Sequence, residues 1–295
     1  HRDLHSFPTR RSSDLGVASN DTARQTLVFR PPAKSPPGAF GVKKYAIFNT
    51  REGMTRPGQW YLDRAAGRLV YWPMPGEDMA KAKVVAPVLE TIFRVANTSM
   101  VCFEGLVLQA TTTPMGSGGF GAYAFRGALE MDHVAQCDVA GIEICNVGGQ
   151  GIVVRRANHL AICDCRIHDT GACGMKLEGA RSVVEGNHVH DVGRHYPSAI
   201  ALSVSHSGSD PEEMGFYVVG NVVHDAPYSG IVGSGYGHEI ARNLMCRVMR
   251  EMQDGGAIYG GMKRSVLRGN VVRDVVKMGE GYGVSSYYLD RKSVV

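Results

Sequence analysis

Short runs of alternating apolar and polar residues fill the second half of the chain. Residues 159–165 (HLAICDC), Phe216–Val219 (FYVV) and residues 265–268 (SVLR) are examples. Alternation with a period of two is typical of a strand that has one buried face. Between residues 130 and 289 no helical apolar period lasts long enough for a helix, and the 37 glycines of the chain disfavour helix further. The pattern predicts an all-β structure built from short strands.

A five-residue phrase recurs between these runs. It begins at Cys165, Asn187, Asn221, Asn243 and Asn270, and in its commonest form it reads Asn-x-Val-His-Asp. Successive phrases are 22, 34, 22 and 27 residues apart. A repeat of this length with insertions indicates a solenoid. With short strands as its elements, the repeat predicts a single-stranded parallel β-helix.

Two features of the repeat predict the chemistry of its corners. Equivalent residues of parallel coils stack about 4.8 Å apart, so we expect the four asparagines to form a hydrogen-bonded amide ladder. The aspartate of each His-Asp pair is expected to accept N–H groups of the turn, which would make these pairs structural. We expect corner glycines to adopt the positive φ that a turn requires. These are Gly148, Gly149, Gly171, Gly193, Gly230, Gly255, Gly256 and Gly281.

The N-terminal third has a different pattern. Residues 16–40 are rich in Pro and Ser and predict an extended lead-in. Residues 58–73 (GQWYLDRAAGRLVYWP) place two aromatic strands around a turn, which predicts a β-hairpin that contains Trp60 and Trp72. A solenoid needs its terminal coil covered, and we expect this hairpin to be the cap. The first coil is expected to begin near Val84.

Both ends of the chain have the appearance of foreign sequence. Residues 5–15 (HSFPTRRSSDL) and 290–295 (DRKSVV) look like translations of a sequencing adapter. We therefore expect a non-native tail over 1–15, the lead-in and cap over 16–83, the β-helix over 84–289 and a second non-native tail over 290–295. The native protein would then be truncated at both ends.

Composition argues against several partners. The net charge of +4 falls to about +2 without the two tails, which together hold five basic and three acidic groups. No Lys/Arg run is interleaved with aromatic residues, so we expect no nucleic-acid partner. No apolar stretch approaches the length of about 18 residues that a transmembrane helix needs, so we expect no membrane partner. The pattern does not indicate an oligomeric state.

The seven cysteines are expected to pack in the core. An odd number cannot pair completely, and Cys163-Asp-Cys165 lacks the Cys-x-x-Cys spacing of structural zinc sites. A buried thiol behaves as a small apolar side chain. The sequence thus predicts no metal site and no cofactor.

Several motifs together resemble a known group of carbohydrate-active proteins. They are PGQWYLDRAAGRLVYWP (57–73), VVAPVLE (84–90), IHDTGACGM (167–175), VHDAPYSGI (223–231), MQDGGAIYG (252–260) and GYGVSSYYLD (281–290). The ordered set covers nearly all of residues 16–289 and is similar to right-handed parallel β-helices of the pectate-lyase-like fold, above all to glycoside hydrolase family 141. The resemblance implies a bacterial glycosidase, extracellular or periplasmic, that acts on plant cell-wall or related poly- and oligosaccharides.

Glycoside hydrolysis needs two carboxylates, about 5–5.5 Å apart for retention or about 6.5–9.5 Å apart for inversion. The segment that begins at Asp254 (DGGAI) aligns with the one that begins at Glu280 (EGYGV), so stacking would bring these two carboxylates to one face. Two glycines after Asp254, and Tyr259 at the end of the same strand, would open a floor for a sugar ring. The family resemblance points to the same aspartate, and it implies a second one after the aromatic pair Tyr287-Tyr288, which is Asp290.

Histidine and tyrosine side chains in the corner loops are the candidate substrate contacts, because such rings stack on sugars and hydrogen-bond to hydroxyls. They are His195, His224, Tyr228, His238, Tyr259 and Tyr282. Tyr228, Tyr259 and Tyr282 follow the repeat and are expected to line one groove. The alternative is that His190 and His224 are ladder residues and the tyrosines only cover the core.

Two other functions fit this fold. A polysaccharide lyase would use a Lys or Arg base beside Ca²⁺ held by clustered acidic residues. Arg273 and Lys277 are available as bases, without a compact acidic cluster near them in the sequence. A non-catalytic glycan-binding module is the second alternative. An Asp254 variant that loses activity but still binds sugar would distinguish the enzyme from the module.

Overall fold

A computed structural model describes residues 3–6, 13–30, 32, 45–206, 208, 213–275 and 283–289. They form two compact units. The first holds the described residues up to Ala86 together with Met115–Ser117, and the second holds Pro87–Pro114 and the described residues from Gly118 onward. No helix in this part of the chain is long and apolar enough to cross a membrane.

The first unit consists of antiparallel strands. The predicted hairpin is confirmed, because Trp60–Asp63 pairs with Arg68–Tyr71. Whether it caps the solenoid stays a prediction. A separate five-stranded sheet includes residues 3–6 and 13–15 of the segment predicted to be foreign. Its strands are Asp3–Ser6, Ser13–Asp21, Thr26–Arg30, Tyr45–Phe48 and Gly116–Ser117.

The second unit is a parallel β-helix, as predicted. Its strands stack in three columns, and all strand pairs between described coils are parallel. The first and second columns form one 13-stranded sheet, and the third column forms a 7-stranded sheet. The seven third-column strands define seven coils, and an eighth coil is begun by one first-column strand.

The first column contains, from the first coil to the eighth, Phe93–Ser99, the first parts of Gly127–Ala140 and Gln150–Cys163, Met175–Ala180, Leu202–His206, Ile231–Tyr236, Gly255–Lys263 and Val284–Leu289. The second column contains Cys102–Glu104, the second parts of the same two long strands, Ser182–Glu185, Phe216–Val219, Glu239–Ala241 and Val266–Arg268. The third column contains Val107–Thr111, Glu143–Val147, Arg166–Thr170, His188–His190, Val222–His224, Leu244–Cys246 and Val271–Arg273.

The first strand of the first coil is Phe93–Ser99, and the start of the β-helix near Val84 stays a prediction. The side chains of Val84 and Val88 are 68% and 85% exposed, and no strand forms there. The strand preference of valine depends on neighbours that cover its side chain. Before Phe93 no coil of this sheet provides such cover in the described residues.

The core is built from rows of apolar side chains, one from each coil. One row is wholly buried from the second coil to the seventh and consists of Leu129, Ile152, Met175, Leu202, Ile231 and Ile258. Burying each such side chain contributes about 1.5–3 kcal/mol. Side chains alternate between the two faces of a strand. The residue that directly follows each member of this row therefore points to the outer face.

The asparagine ladder is confirmed. The Nδ2 group of Asn187 donates to Oδ1 of Asn221 at 2.9 Å, and the same 2.9 Å contact joins Asn221 to Asn243 and Asn243 to Asn270. Each Oδ1 also accepts the backbone N–H of the preceding asparagine in the row. The ladder therefore holds side chains and backbone of four successive coils.

The expectation for the His-Asp pairs is half right. Each histidine belongs to a third-column strand and its aspartate lies at or beside the end of that strand, but the carboxylate accepts from the preceding imidazole rather than from a turn N–H. In all three pairs the aspartate Oδ2 lies 2.7–2.8 Å from Nδ1 of the histidine. The aspartates themselves adopt the positive φ of the corner, 49° to 52°. The pairs are His168-Asp169, His190-Asp191 and His224-Asp225.

The prediction that the corner glycines supply positive φ is mostly wrong. Among those described, Gly193 has one (φ 71°). The others are needed for space, because their backbones touch the neighbouring coil. A Cβ on Gly171 would lie 2.0 Å from the carbonyl oxygen of Gly148. Gly281 lies outside the described residues.

The predicted core packing of cysteines is confirmed for Cys137, Cys165 and Cys173, which belong to the apolar core. All seven thiols are free, so no disulfide forms. Cys102 is exposed, and Cys145 lies on the outer face of the third column beside charged side chains.

Candidate functional site

An outer row of side chains runs along the first column. Register places one residue per coil in it, from the fourth coil to the eighth: Lys176, Ser203, Val232, Tyr259 and Tyr288. The row lies between the inward-facing residues of the same strands and therefore faces away from the core. It is the surface on which Asp254 and its aromatic neighbours lie.

Residues 118–126, which we call the strap, cover this row. They belong to the connection between the third column of the first coil and the first column of the second. The hydroxyl of Tyr123 donates to Oγ of Ser203 at 2.7 Å, and Nζ of Lys176 lies 5.2 Å from the centre of the Tyr123 ring. Phe120 reaches the seventh coil, where its ring centre lies 6.1 Å from that of Tyr259.

Backbone carbonyls fix the strap to several coils. The carbonyl of Phe125 accepts from the side-chain amide of Gln150 at 2.5 Å, and the carbonyl of Gly119 accepts from the Ser198 hydroxyl at 3.0 Å. Gln150 belongs to the third coil and Ser198 precedes the fifth. The strap thus crosses coils that do not touch one another.

Asp254 stands at the start of the first-column strand of the seventh coil. It is 4% exposed and has a φ of 61°, in the left-handed region. The hydroxyl of Tyr288 donates to its Oδ1 at 3.3 Å, and the hydroxyl of Tyr228 donates to its backbone carbonyl at 2.8 Å. Its N–H donates to the carbonyl of Gly283 at 3.2 Å. Two tyrosines and the eighth coil therefore hold this carboxyl in place.

The two glycines after Asp254 allow this packing. A Cβ on Gly255 would lie 2.9 Å from the ring of Tyr228, and a Cβ on Gly256 would lie 2.8 Å from the carbonyl oxygen of Ser285. Both distances are shorter than ordinary carbon contacts. The predicted absence of side-chain bulk thus serves close packing around Asp254.

Three aromatic rings lie beside this carboxyl. Tyr259 packs edge-on against Tyr288 at 5.3 Å, and Phe120 contacts Tyr259 from the strap. All three are half-buried, so each keeps part of its surface in contact with solvent. Partly exposed rings next to a fixed carboxyl can stack on a sugar while the carboxyl acts on it.

The predicted alignment of Asp254 with Glu280 is wrong. Gly255 pairs with Val284, and the N–H of Asp254 bonds to Gly283, so Gly283 stands opposite Asp254. The corner between the seventh and eighth coils is longer than the alignment assumed. Glu280 and Asp290, the two predicted catalytic partners, lie outside the described residues.

Two of the predicted substrate contacts are buried. Tyr228 is wholly buried, so its ring has no face to offer a sugar. Its hydroxyl supports Asp254 by donating to the backbone carbonyl of that residue. His238 is 1% exposed. Its Nδ1 accepts the N–H of Phe216 at 3.1 Å and its Nε2 donates to the carbonyl of Ser234 at 2.8 Å. The position of Tyr228 corresponds to the structural alternative, in which the tyrosines cover the core.

The other predicted contacts do not lie together. Tyr259 lies beside Asp254. His224 belongs to the third column, where Asp225 and the imidazole of His188 hold it. His195 is exposed in the corner before the fifth coil. Tyr282 lies outside the described residues.

Sequence reasoning missed Phe120 and did not assign a role to Tyr288. Phe120 is 134 residues before Asp254, in a connection that follows no repeat, so no signal in the pattern points to it. Tyr288 could have been found, because aligning Ile258-Tyr259 with Tyr287-Tyr288 places it directly after Tyr259 in the outer row.

Comparisons with known proteins agree with this fold. Residues 95–290 match the family model described as "Right handed beta helix region". The chain belongs to the right-handed β-helix family. A solved structure named "Glycoside hydrolase" is similar to this β-helix protein, with a TM-score of 0.72 and 14% identity over 98% of this chain and 68% of that one. At that identity the likeness shows the fold alone. A search of curated proteins finds no match.

The predicted right-handed parallel β-helix is therefore confirmed, whereas membership of glycoside hydrolase family 141 stays a prediction.

Proposed function

We propose that this β-helix protein is a glycoside hydrolase in which Asp254 is one of two catalytic carboxyl groups. The observation that carries the proposal is the arrangement of Asp254: a buried carboxyl held by the Tyr288 hydroxyl and flanked by half-buried aromatic rings. The similar solved structure, named as a glycoside hydrolase, supports the same class of reaction.

The hydrogen bond from Tyr288 suggests which role Asp254 takes. A carboxylate oxygen that accepts a hydrogen bond from a hydroxyl is suited to be the ionised member of the pair, the nucleophile or the base. The second carboxyl would then be the acid that protonates the leaving oxygen. Glu280 and Asp290 are the candidates for it.

The rings of Phe120, Tyr259 and Tyr288 suit a sugar rather than a charged or lipid substrate, because all three offer apolar faces and the two tyrosines also carry hydroxyls. We propose poly- or oligosaccharides of the plant cell wall, or related glycans, as the substrate class. A polymer of that kind is met outside the cytoplasm, which agrees with the proposed extracellular or periplasmic location.

The test is hydrolysis of a panel of aryl glycosides and plant-wall oligosaccharides by the chain and by its Asp254→Asn variant. Asp274→Asn is the matched control, since Asp274 also has a positive φ (57°) but is exposed at a third-column corner. We expect Asp254→Asn to lower kcat/KM by about 10³-fold or more and Asp274→Asn to leave it unchanged.

The partner is identified by testing Glu280→Gln and Asp290→Asn separately for a comparable loss. An unsaturated product that absorbs in the ultraviolet would contradict the proposal in favour of a lyase. Sugar binding without turnover by the folded native chain would contradict it in favour of a glycan-binding module.

A further inference from the structure

The outer face of the third column carries a second group of reactive side chains, separate from Asp254 and its neighbours. Register places Cys145, His168, His190 and His224 in one row on four successive coils. The rings of His168 and His190 stack with centres 4.8 Å apart, and so do those of His190 and His224. Neither the fold nor the proposed hydrolysis requires a row of this composition.

The three histidines are oriented identically. Each donates its Nδ1–H to the carboxylate of the following aspartate at 2.7–2.8 Å. In a neutral ring, this bond leaves the lone pair on Nε2. A histidine held through Nδ1 by a carboxylate, with Nε2 turned outward, is the usual arrangement of a histidine that binds a metal ion.

At one end of the row the Nε2 atom of His168 faces other metal-ligand atoms. It lies 3.0 Å from Oε1 of Glu143, and these two atoms and Sγ of Cys145 all lie within 4.8 Å of one another. Because Asp169 accepts from Nδ1 of His168, Nε2 is the ring nitrogen that faces the Glu143 carboxylate. A proton on Nε2 makes this contact a hydrogen bond to Glu143, and a bound cation would take the place of that proton.

We propose that Glu143, Cys145 and His168 bind a divalent cation of the zinc class, with Asp169 as the residue that positions His168. One carboxylate oxygen, one thiolate and one imidazole are a ligand set that Zn²⁺ accepts, and its fourth position would hold water. Thiolate and imidazole ligands together select Zn²⁺ and Co²⁺ over Mg²⁺ and Ca²⁺.

Two features of the site weaken binding and give the proposal a sharper test. Burial raises the pKa of the Cys145 thiol, with the charge of Glu143 as a further cause, so binding must release the thiol proton to solvent. A guanidinium nitrogen of Arg166 lies 3.8 Å from Oε1 of Glu143 and opposes a cation there. The Arg166→Gln variant should therefore bind the cation more tightly.

In the experiment, the unsubstituted chain is stripped of metal and titrated with Co²⁺, and the thiolate-to-cobalt charge-transfer band is followed. Zn²⁺ is then added as competitor. We expect one site. Cys145→Ser should abolish the band, and Asp169→Asn should weaken binding about 10- to 100-fold. Cys163→Ser is the matched control, because Cys163 is a half-buried thiol of the second column, and it should leave the band unchanged. Thermal melting of each variant checks that it is folded.

A missing charge-transfer band in the folded native chain would overturn the proposal. So would a band that survives Cys145→Ser. A third outcome concerns the opposite end of the row, where Nε2 of His188 lies 2.7 Å from Nε2 of His224. If His188→Gln abolishes Co²⁺ binding and Cys145→Ser does not, the cation is held there and the assignment to Glu143, Cys145 and His168 is wrong.

Discussion

At the scale of single residues, His238 shows how burial decides a protonation state. Its two ring nitrogens are occupied by backbone groups, one as acceptor and one as donor, so the neutral ring satisfies both. Burial lowers the pKa of His238 from 6.5 to about 4. A second proton would have to displace the N–H of Phe216 from Nδ1 of a ring that is 1% exposed.

This predicts how stability depends on pH. Between about pH 6.5 and pH 4 the unfolded chain binds a proton at His238 that the folded chain does not, so the free energy of unfolding falls as the pH falls. The full difference is about 3 kcal/mol. In urea titrations at pH 7 and pH 4.5, His238→Gln should show a smaller decrease than the native chain. His159→Gln, at an exposed site, should show the native decrease. Equal decreases for all three would contradict the assignment.

At the scale of elements, the asparagine ladder adds side-chain hydrogen bonds between coils to the backbone pairing of their strands. Oδ1 of Asn221 accepts from the N–H and the Nδ2 group of Asn187, and its own Nδ2 donates to the carbonyl of Val184. Removing the Asn221 side chain takes a hydrogen-bond partner from each of these buried groups, at a cost of about 1–3 kcal/mol for each one left unsatisfied.

Asn221→Ala should therefore lower the free energy of unfolding by about 3 kcal/mol or more. Asn270→Ala is the comparison, because Asn270 is half-buried at the end of the ladder, where water can replace part of the lost bonding. It should cost less than half as much. Chemical denaturation at neutral pH measures both values, and similar losses would mean that burial along the ladder does not matter.

The same element shows what sequence can predict. The ladder was predictable because identical side chains recur at a spacing that only stacked coils explain. The register around Asp254 was not predictable, because it depends on the length of the corner before Gly283. A longer corner shifts which residues pair without changing any residue of the paired strands. Asp254 itself could be chosen from the sequence, whereas the identity of its neighbour in the next coil could not.

At the scale of the whole molecule, the strap departs from the rule for solenoids. Coils of a repeat protein contact only their neighbours, so its stability is a sum of local terms. Here residues 118–126 follow the first coil in sequence, yet they bond to Gln150 in the third coil and place Phe120 against Tyr259 in the seventh. Periodicity could not reveal this, since the strap repeats nothing. Its contacts couple coils that otherwise open independently.

Phe120→Ala should uncouple the end of the solenoid that carries Asp254. Hydrogen exchange should become about 10-fold faster in Gly255–Lys263, because that strand loses the ring packed on Tyr259, while Gln150–Cys163 keeps its protection through the strap's own backbone bonds. Phe93→Ala is the control: Phe93 packs on Phe103 in the first coil, and its loss should leave Gly255–Lys263 unchanged. Equal acceleration in every coil would mean that the β-helix unfolds as one cooperative unit regardless of the strap. Unchanged exchange in the seventh coil would mean that the Phe120 contact contributes nothing there, and the aromatic wall of the proposed sugar site would then rest on Tyr259 and Tyr288 alone.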